Sequence, residues 1–174
     1  MLDASGAWGP APDWSTAALA GGGVEARTLP GLSQALVSGD LAAFAAARGL
    51  APAVGALGLA RGPTYAARMA RDRMLVVGLA ESEIVPGWSP AGYAVTPMSA
   101  ALHVFEFKGR NVLDLVGRAS AIDPRDPGPC AALQFAGLVG CLYRHDDADT
   151  LRLHVDRGLA AYLWTWLQSQ PLFA

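Results

Sequence analysis

The period of the apolar positions changes several times along the chain, and each change marks an element. The second half is clearest. "ALHVFEF", residues 101–107, reads as a strand. "RNVLDLVGRAS", residues 110–120, sets Val112, Leu113, Leu115, Val116 and Ala119 at helical spacing. "DPRDPGP" is a loop, and "AALQFA" and "LVGCLYR" form a hairpin joined near Gly137. "TLRLHV" alternates, with Leu151, Leu153 and Val155 on one face, and Asp156 then caps a closing helix. Residues 102–168 are thus predicted as strand, helix, three strands and helix, the last helix packed on that sheet.

The first half is a cruder version of the same order. "VEARTLPGLSQALV" gives one or two short strands. Asp40 caps "LAAFAAARG", a helix ended by Gly49. "APAVGALGLARGP" has no single period. "TYAARMA" and "RMLVVGL" are paired strands around a polar turn at Arg71-Asp72. Pro86, Gly87, Pro90 and Gly92 mark a connection. Residues 1–23, with Gly9-Pro10, Pro12 and Gly21-Gly22-Gly23, read as an irregular arm carrying Trp8 and Trp14. The fold class is α+β. Residues 24–174 form one compact domain of two packed subdomains, about 24–90 and 91–174, of mostly antiparallel sheet with helices on one face.

The closing helix raises a question of coverage. Leu159, Tyr162, Leu163, Trp164, Trp166 and Leu167 sweep an arc of roughly 200°, whereas packing on one sheet needs little more than about 100°. One side is expected to cover the chain's own sheet and the other to meet a larger partner. Trp164, at the edge of the arc, is the anchor candidate, while Leu159 and Leu163 belong to the domain's own core. Trp8, Trp14, Trp88 and Phe173 are the other aromatic candidates for a docking surface.

Composition sharpens this. Hydrophobic residues make up 52% of the 174 and charged ones 16%, against about 25% charged in typical domains. Two explanations stand: a large obligate interface, or a bias that gives 34 alanines and a single lysine, Lys108, against twelve arginines. The net charge of −2 and the lack of a basic stripe argue against a nucleic-acid partner. No apolar run approaches the ~18 residues that span a bilayer, and the opening residues lack the regions of a signal peptide. Cys130 and Cys141 read as free thiols, and the protein as cytoplasmic.

Candidate chemistry is sparse. A nucleophilic triad needs Ser or Cys beside an oriented base, but His103 and His154 lie within strands and His145 begins the turn "HDDAD". Asp146, Asp147 and Asp149 lack the Gly and Glu that a calcium loop requires at its sixth and twelfth positions. They read as a solvated turn. The glycines of "GALGLARG" do not match a nucleotide-binding spacing, and no phosphate-loop Lys is available. Arg68, Arg71 and Arg73 read as exposed hairpin residues rather than an anion site. No catalytic, cofactor-binding or metal-ligating residue is assigned.

"GYAVTPMSAALHVFEFKGRNVLDLVGRASAIDPRDPG", continuing to "LRLHVDRGLAAYLWTWL", resembles the gamma subunit of heterotetrameric sarcosine oxidase. The ordered series carries it: a strand ending at Gly109 and the "VLDLVGRASAID" helix, a hairpin around Gly137, then a strand running into an aromatic helix. It covers roughly residues 65–168. That family resembles in turn the folate-binding amino-terminal domain of the glycine-cleavage aminomethyltransferases, which implies the same two-subdomain fold. The resemblance implies a noncatalytic subunit that carries no cofactor. FAD, FMN, NAD and tetrahydrofolate would lie on partner subunits, and this chain would pack against a large, alpha-like flavoprotein subunit. The complex would demethylate sarcosine or another N-methyl amino acid. The isolated chain would self-associate or display its docking patch.

Where the folate enzymes place acids after the hairpin glycine, this chain has Leu138, Val139, Gly140 and Cys141, and no acid falls between Asp126 and Asp146 or between Asp40 and Asp72. That departure weakens the first rival reading, an independent tetrahydrofolate-binding or one-carbon transferase protein. The second rival is a stand-alone ligand-binding regulatory protein, which needs a closed apolar pocket.

Overall fold

The computed structural model describes residues 12–173. Among them the order is β1 (Ala18–Gly21), β2 (Val24–Thr28), β3 (Gln34–Gly39), α1 (Leu41–Arg48), β4 (Leu59–Ala60), β5 (Tyr65–Ala70) and β6 (Arg73–Val77). It continues with β7 (Gly87–Ser89), β8 (Tyr93–Pro97), β9 (Leu102–Lys108), α2 (Val112–Ala119), β10 (Ala132–Phe135), β11 (Leu138–His145), β12 (Thr150–Asp156) and α3 (Ala160–Gln168). The six elements expected over 102–168 are all present, in that order. The apolar periods there are long enough to fix strand or helix without help from the rest of the chain.

The strands make two sheets. The larger runs β1-β2-β9-β12-β11-β10, with β4 joining β11 in parallel, and the smaller runs β5-β6-β3-β8-β7. All other strand pairs are antiparallel. The sheets lie face to face with helices outside them. Phe105, Phe107, Leu142, Leu151 and Leu153 pack beneath Leu115, Val116, Leu163 and Leu167 of α2 and α3. Val37, Ala66, Met74 and Val76 pack against Leu41 and Phe44 of α1. Between the sheets, Tyr65, Ala67, Leu75 and Val77 meet Ala131, Cys141 and Tyr143. Helices therefore cover one face of each sheet, as the α+β reading requires.

The sheets do not divide at residue 90. β1, β2 and β4 come from the first half of the chain yet join the larger sheet, and β8 from the second half joins the smaller one. The cause is long-range pairing of β2 with β9, in which Arg27 faces Glu106 and Glu25 faces Lys108. Opposite charges directly across an antiparallel pair favour this register.

The expected irregular arm needs a correction too. Trp8 lies outside the described residues. Residues 18–23, however, are ordered as half a hairpin: β1 returns on β2 through Gly22 and Gly23, whose φ of 54° and 77° suit a tight two-residue turn. The glycines there make a turn rather than a loose segment. The Pro/Gly connection after residue 85 likewise contains β7, which folds onto β8 through a short loop ending at Gly92, φ 89°.

Trp164 is no surface anchor. It is buried in its own domain, stacked on Phe105 with centroids 6.3 Å apart and edge-on to Trp14 at 6.1 Å. Trp14, Ala17 and Leu19 before the helix, and Leu172 and Phe173 after it, cover the part of the arc that the sheet leaves open. Leu159, expected inside, is 42% exposed. Asp156 accepts a hydrogen bond from the Gly158 N–H at 2.8 Å and caps a 3-10 turn over Arg157–Leu159, so the α-helix begins only at Ala160 and Leu159 swings outward.

Candidate functional site

Strand alternation sends two kinds of side chain from β12. Leu151, Leu153 and Val155 join the helix-covered core, while Arg152 and His154 face the smaller sheet. There they meet Tyr143 of β11, Tyr65 of β5, Gln34 of β3 and Glu106 of β9. Arg152 Nη1 donates to the Tyr65 hydroxyl at 2.8 Å; the two tyrosine oxygens lie 2.9 Å apart; Tyr143 Oη lies 2.5 Å from His154 Nε2; and His154 Nδ1 lies 2.5 Å from Gln34 Oε1.

The end groups set the direction of this chain. A guanidinium only donates and an amide oxygen only accepts. Each hydroxyl must therefore pass a proton donor onward: Arg152 to Tyr65, Tyr65 to Tyr143, Tyr143 to His154 Nε2, and His154 Nδ1–H to Gln34. That assignment requires a neutral imidazole, and burial, followed by the charge of Arg152, holds the His154 pKa down at about 3. Burial also pushes the Tyr65 and Tyr143 phenols up. Every member of the chain is thus held in its neutral or ordinary form.

At the other end, Arg152 Nε donates to Glu106 Oε2 at 3.0 Å and Arg27 Nε to Oε1 at 2.9 Å. Burial pushes the Glu106 carboxyl up, but these hydrogen bonds and the two positive charges outweigh it and hold it below its ordinary value. The one acid within this network is therefore paired with two arginines, which take three of its roughly four lone-pair positions.

The other candidates are scattered. His103 packs between Trp14 and Phe105 on the helix side, with centroids at 4.6 and 4.9 Å, and burial and then Arg157 lower its pKa. Its Nε2 is buried without a hydrogen-bond partner, so it has no base or nucleophile to work with. His145 Nε2 lies 3.2 Å from the Gly62 carbonyl. Asp146 Oδ1 accepts from Gly62 N–H at 3.0 Å while its Oδ2 lies 3.1 Å from His145 Nδ1, and Asp147 Oδ1 accepts from Asp149 N–H at 2.9 Å, so these carboxylates serve the turn's own structure. Arg68 Nη1 donates to the Arg71 carbonyl at 3.2 Å. Cys130 and Cys141 are free, with Cys130 Sγ 2.8 Å from the Met69 carbonyl. Burial drives the Cys141 thiol up, making it a poor nucleophile. No group of three or more His, Cys, Asp or Glu among the described residues could hold a metal ion, and no helix there is long and apolar enough to cross a membrane.

A model of the sarcosine oxidase, gamma subunit family matches residues 38–171. The chain belongs to that family. Among solved structures, it is similar to a chain of the heterotetrameric sarcosine oxidase from Corynebacterium sp. U-96, in a complex with pyrrole 2-carboxylate. The TM-score is 0.67 at 21% identity, over 86% of this chain and 85% of that one, a likeness of fold. No curated protein sequence matches.

In this gamma-family chain the space between the sheets holds the Arg152–Gln34 chain of hydrogen bonds beside the apolar cluster of Ala67, Leu75, Val77, Ala131 and Cys141. The strand pattern of "TLRLHV" signalled that Arg152 and His154 share a face, but nothing local signalled Gln34, Tyr65 or Tyr143, which only the packing of two sheets brings together. Of the aromatic docking candidates among the described residues, Trp88, within β7 and across from Ala94 of β8, is the exposed one at 72%. Trp14 and Trp164 are spent on the core.

Proposed function

We infer that this chain acts as a noncatalytic gamma subunit, docked on a large, alpha-like flavoprotein subunit of a cytoplasmic oxidase or dehydrogenase that demethylates sarcosine or another N-methyl amino acid. FAD, FMN, NAD and tetrahydrofolate belong, on this reading, to the partner subunits. One observation carries it beyond family membership. The inter-sheet groups that could serve chemistry are consumed by one another: His154 is neutral, Tyr65 and Tyr143 are locked as donors, and Glu106 is bound by two arginines. A steering carboxylate for a pterin nitrogen would have to be free to exchange a proton. The sparse surface charge agrees with a chain whose surface is completed by a partner.

The test is purification of the chain alone and with a large flavoprotein subunit. Alone, it should give no flavin absorbance, no heat with tetrahydrofolate and no sarcosine turnover. Together, the two should elute as one complex. Micromolar tetrahydrofolate binding by the isolated chain would favour the transferase-like reading instead.

A further inference from the structure

β10 is an outer strand of the larger sheet, and its register on β11 says which of its backbone groups are in use. The hairpin turns through Ala136 and Gly137, whose φ of 51° and 80° are those of a type I′ turn. In such a hairpin the closing pair, Phe135 and Leu138, exchanges hydrogen bonds, and every second pair after it does the same. Leu133 and Gly140 are therefore bonded to each other, and the Leu142 N–H reaches the Ala131 carbonyl at 2.9 Å in the same rhythm. Ala132 and Gln134 point their N–H and C=O away from β11. The next outward donor, the Ala136 N–H, is taken by the Ala119 carbonyl at 2.8 Å. Among the described residues, nothing takes those of Ala132 and Gln134.

These groups open into a groove of about 360 Å³, bounded by Ala119, Ser120, Ile122, Pro127, Leu133 and Gln134 among others, with no charged residue in its lining. Edge strands are usually blunted by charge, proline or a bulge. "ALQF" has none of these. Val139, 69% exposed and directly across from Gln134 on β11, extends the apolar surface beside it.

We propose that this groove receives an extended, uncharged segment of the large subunit, which adds to β10 as a further strand through the N–H and C=O groups of Ala132 and Gln134. The proposal rests on the docking reading above. Its ligand class follows from the groove: regularly spaced main-chain donors and acceptors match another main chain. Uncharged walls offer nothing to a phosphate backbone or an acidic tail. Ser120 and Ile122, which follow the Ala119 carbonyl that takes the Ala136 N–H, wall the groove beside the strand, so an arriving chain enters between that wall and β10.

The test uses Gln134→Pro and Gln134→Ala in the full chain. Proline removes the outward N–H while leaving the ladder to β11, which does not use it; edge strands tolerate proline in that orientation. Alanine keeps the donor and removes only the side chain. Affinity for the purified large subunit, melting temperature and amide exchange at residues 132 and 134 are measured together. Gln134→Ala should bind within about twofold of wild type. Gln134→Pro should bind about tenfold more weakly with an unchanged melt, through the lost hydrogen bond and the blocked edge. In the wild-type complex both amides should exchange more slowly. If Gln134→Pro does not fold, the amides decide alone, and unprotected amides in the complex overturn the proposal. Wild-type affinity in a folded Gln134→Pro overturns it while leaving docking intact. Protection that rises with concentration in the isolated chain assigns the edge to a second copy and overturns it as well. Failure of wild type to bind the large subunit overturns the docking reading and this proposal together.

Discussion

Tyr143→Phe removes one oxygen from the centre of the buried hydrogen-bond chain and little volume. That oxygen lies 2.5 Å from His154 Nε2 and 2.9 Å from the Tyr65 hydroxyl. Its loss orphans an acceptor and a donor at once, at a site where Tyr143 and His154 are buried. Each unsatisfied buried group costs about 1–3 kcal/mol. The Tyr65 hydroxyl can lean on Arg152, which softens its share, so the variant should lose about 2–4 kcal/mol. For a domain of this size 1 kcal/mol moves the melting temperature by roughly 2–4 °C, which makes the expected drop about 4–16 °C. Urea denaturation followed by circular dichroism reads the energy directly, and an unchanged m-value would confirm that the change lies in the folded state. A conservative His154→Gln in the Tyr143→Phe background should recover little, because Gln34 already takes one end of the imidazole. A loss below about 0.5 kcal/mol for Tyr143→Phe would refute the reasoning. It would mean that water or side-chain relaxation reaches the space between the sheets.

Acid should unfold this protein early. The unfolded chain binds a proton on His154 below about pH 6.5 while the folded one refuses it until about 3, so stability is complete above about pH 6.5. It should fall by about 1.4 kcal/mol per pH unit on the acid side, and His154→Gln should flatten the slope by one proton. Denaturant midpoints over that range check it. Trp164→Ala should cost about 3–5 kcal/mol of folding stability as a core truncation, read from the same melts. Trp88→Ala should change stability by less than about 0.5 kcal/mol, because its ring is exposed; any loss it causes in binding the large subunit would then report on docking alone.

Local periodicity made most of the larger sheet legible. "TLRLHV" and "RNVLDLVGRAS" each hold one period over several residues, and β12 and α2 fall where that period predicts. β4 is two residues long and β7 three, too short for any period, and β7 sits among the prolines and glycines that ordinarily signal a loop. The assignment of β2 to the larger sheet and β8 to the smaller depends on pairing partners distant in sequence, such as Arg27 with Glu106. The same limit hid the inter-sheet chain. His154 was visible as a polar residue facing away from the core, but its partners Tyr143 and Gln34 come from strands of different sheets. The wide apolar arc of α3 does need a second cover. Its cover is the segment around Trp14 together with Leu172 and Phe173, so the inference from arc width to an outside partner failed at Trp164.

The central claim is that this gamma-family chain works as a docked subunit without a cofactor of its own. Co-expression with a large flavoprotein subunit, followed by gel filtration with flavin absorbance and sarcosine oxidation assayed across the column, tests it most directly. The account predicts that flavin and activity follow the fractions holding both chains, and that this chain run alone carries neither. Sarcosine turnover or bound flavin in the isolated chain would contradict it, and so would a large subunit that never co-elutes with this one.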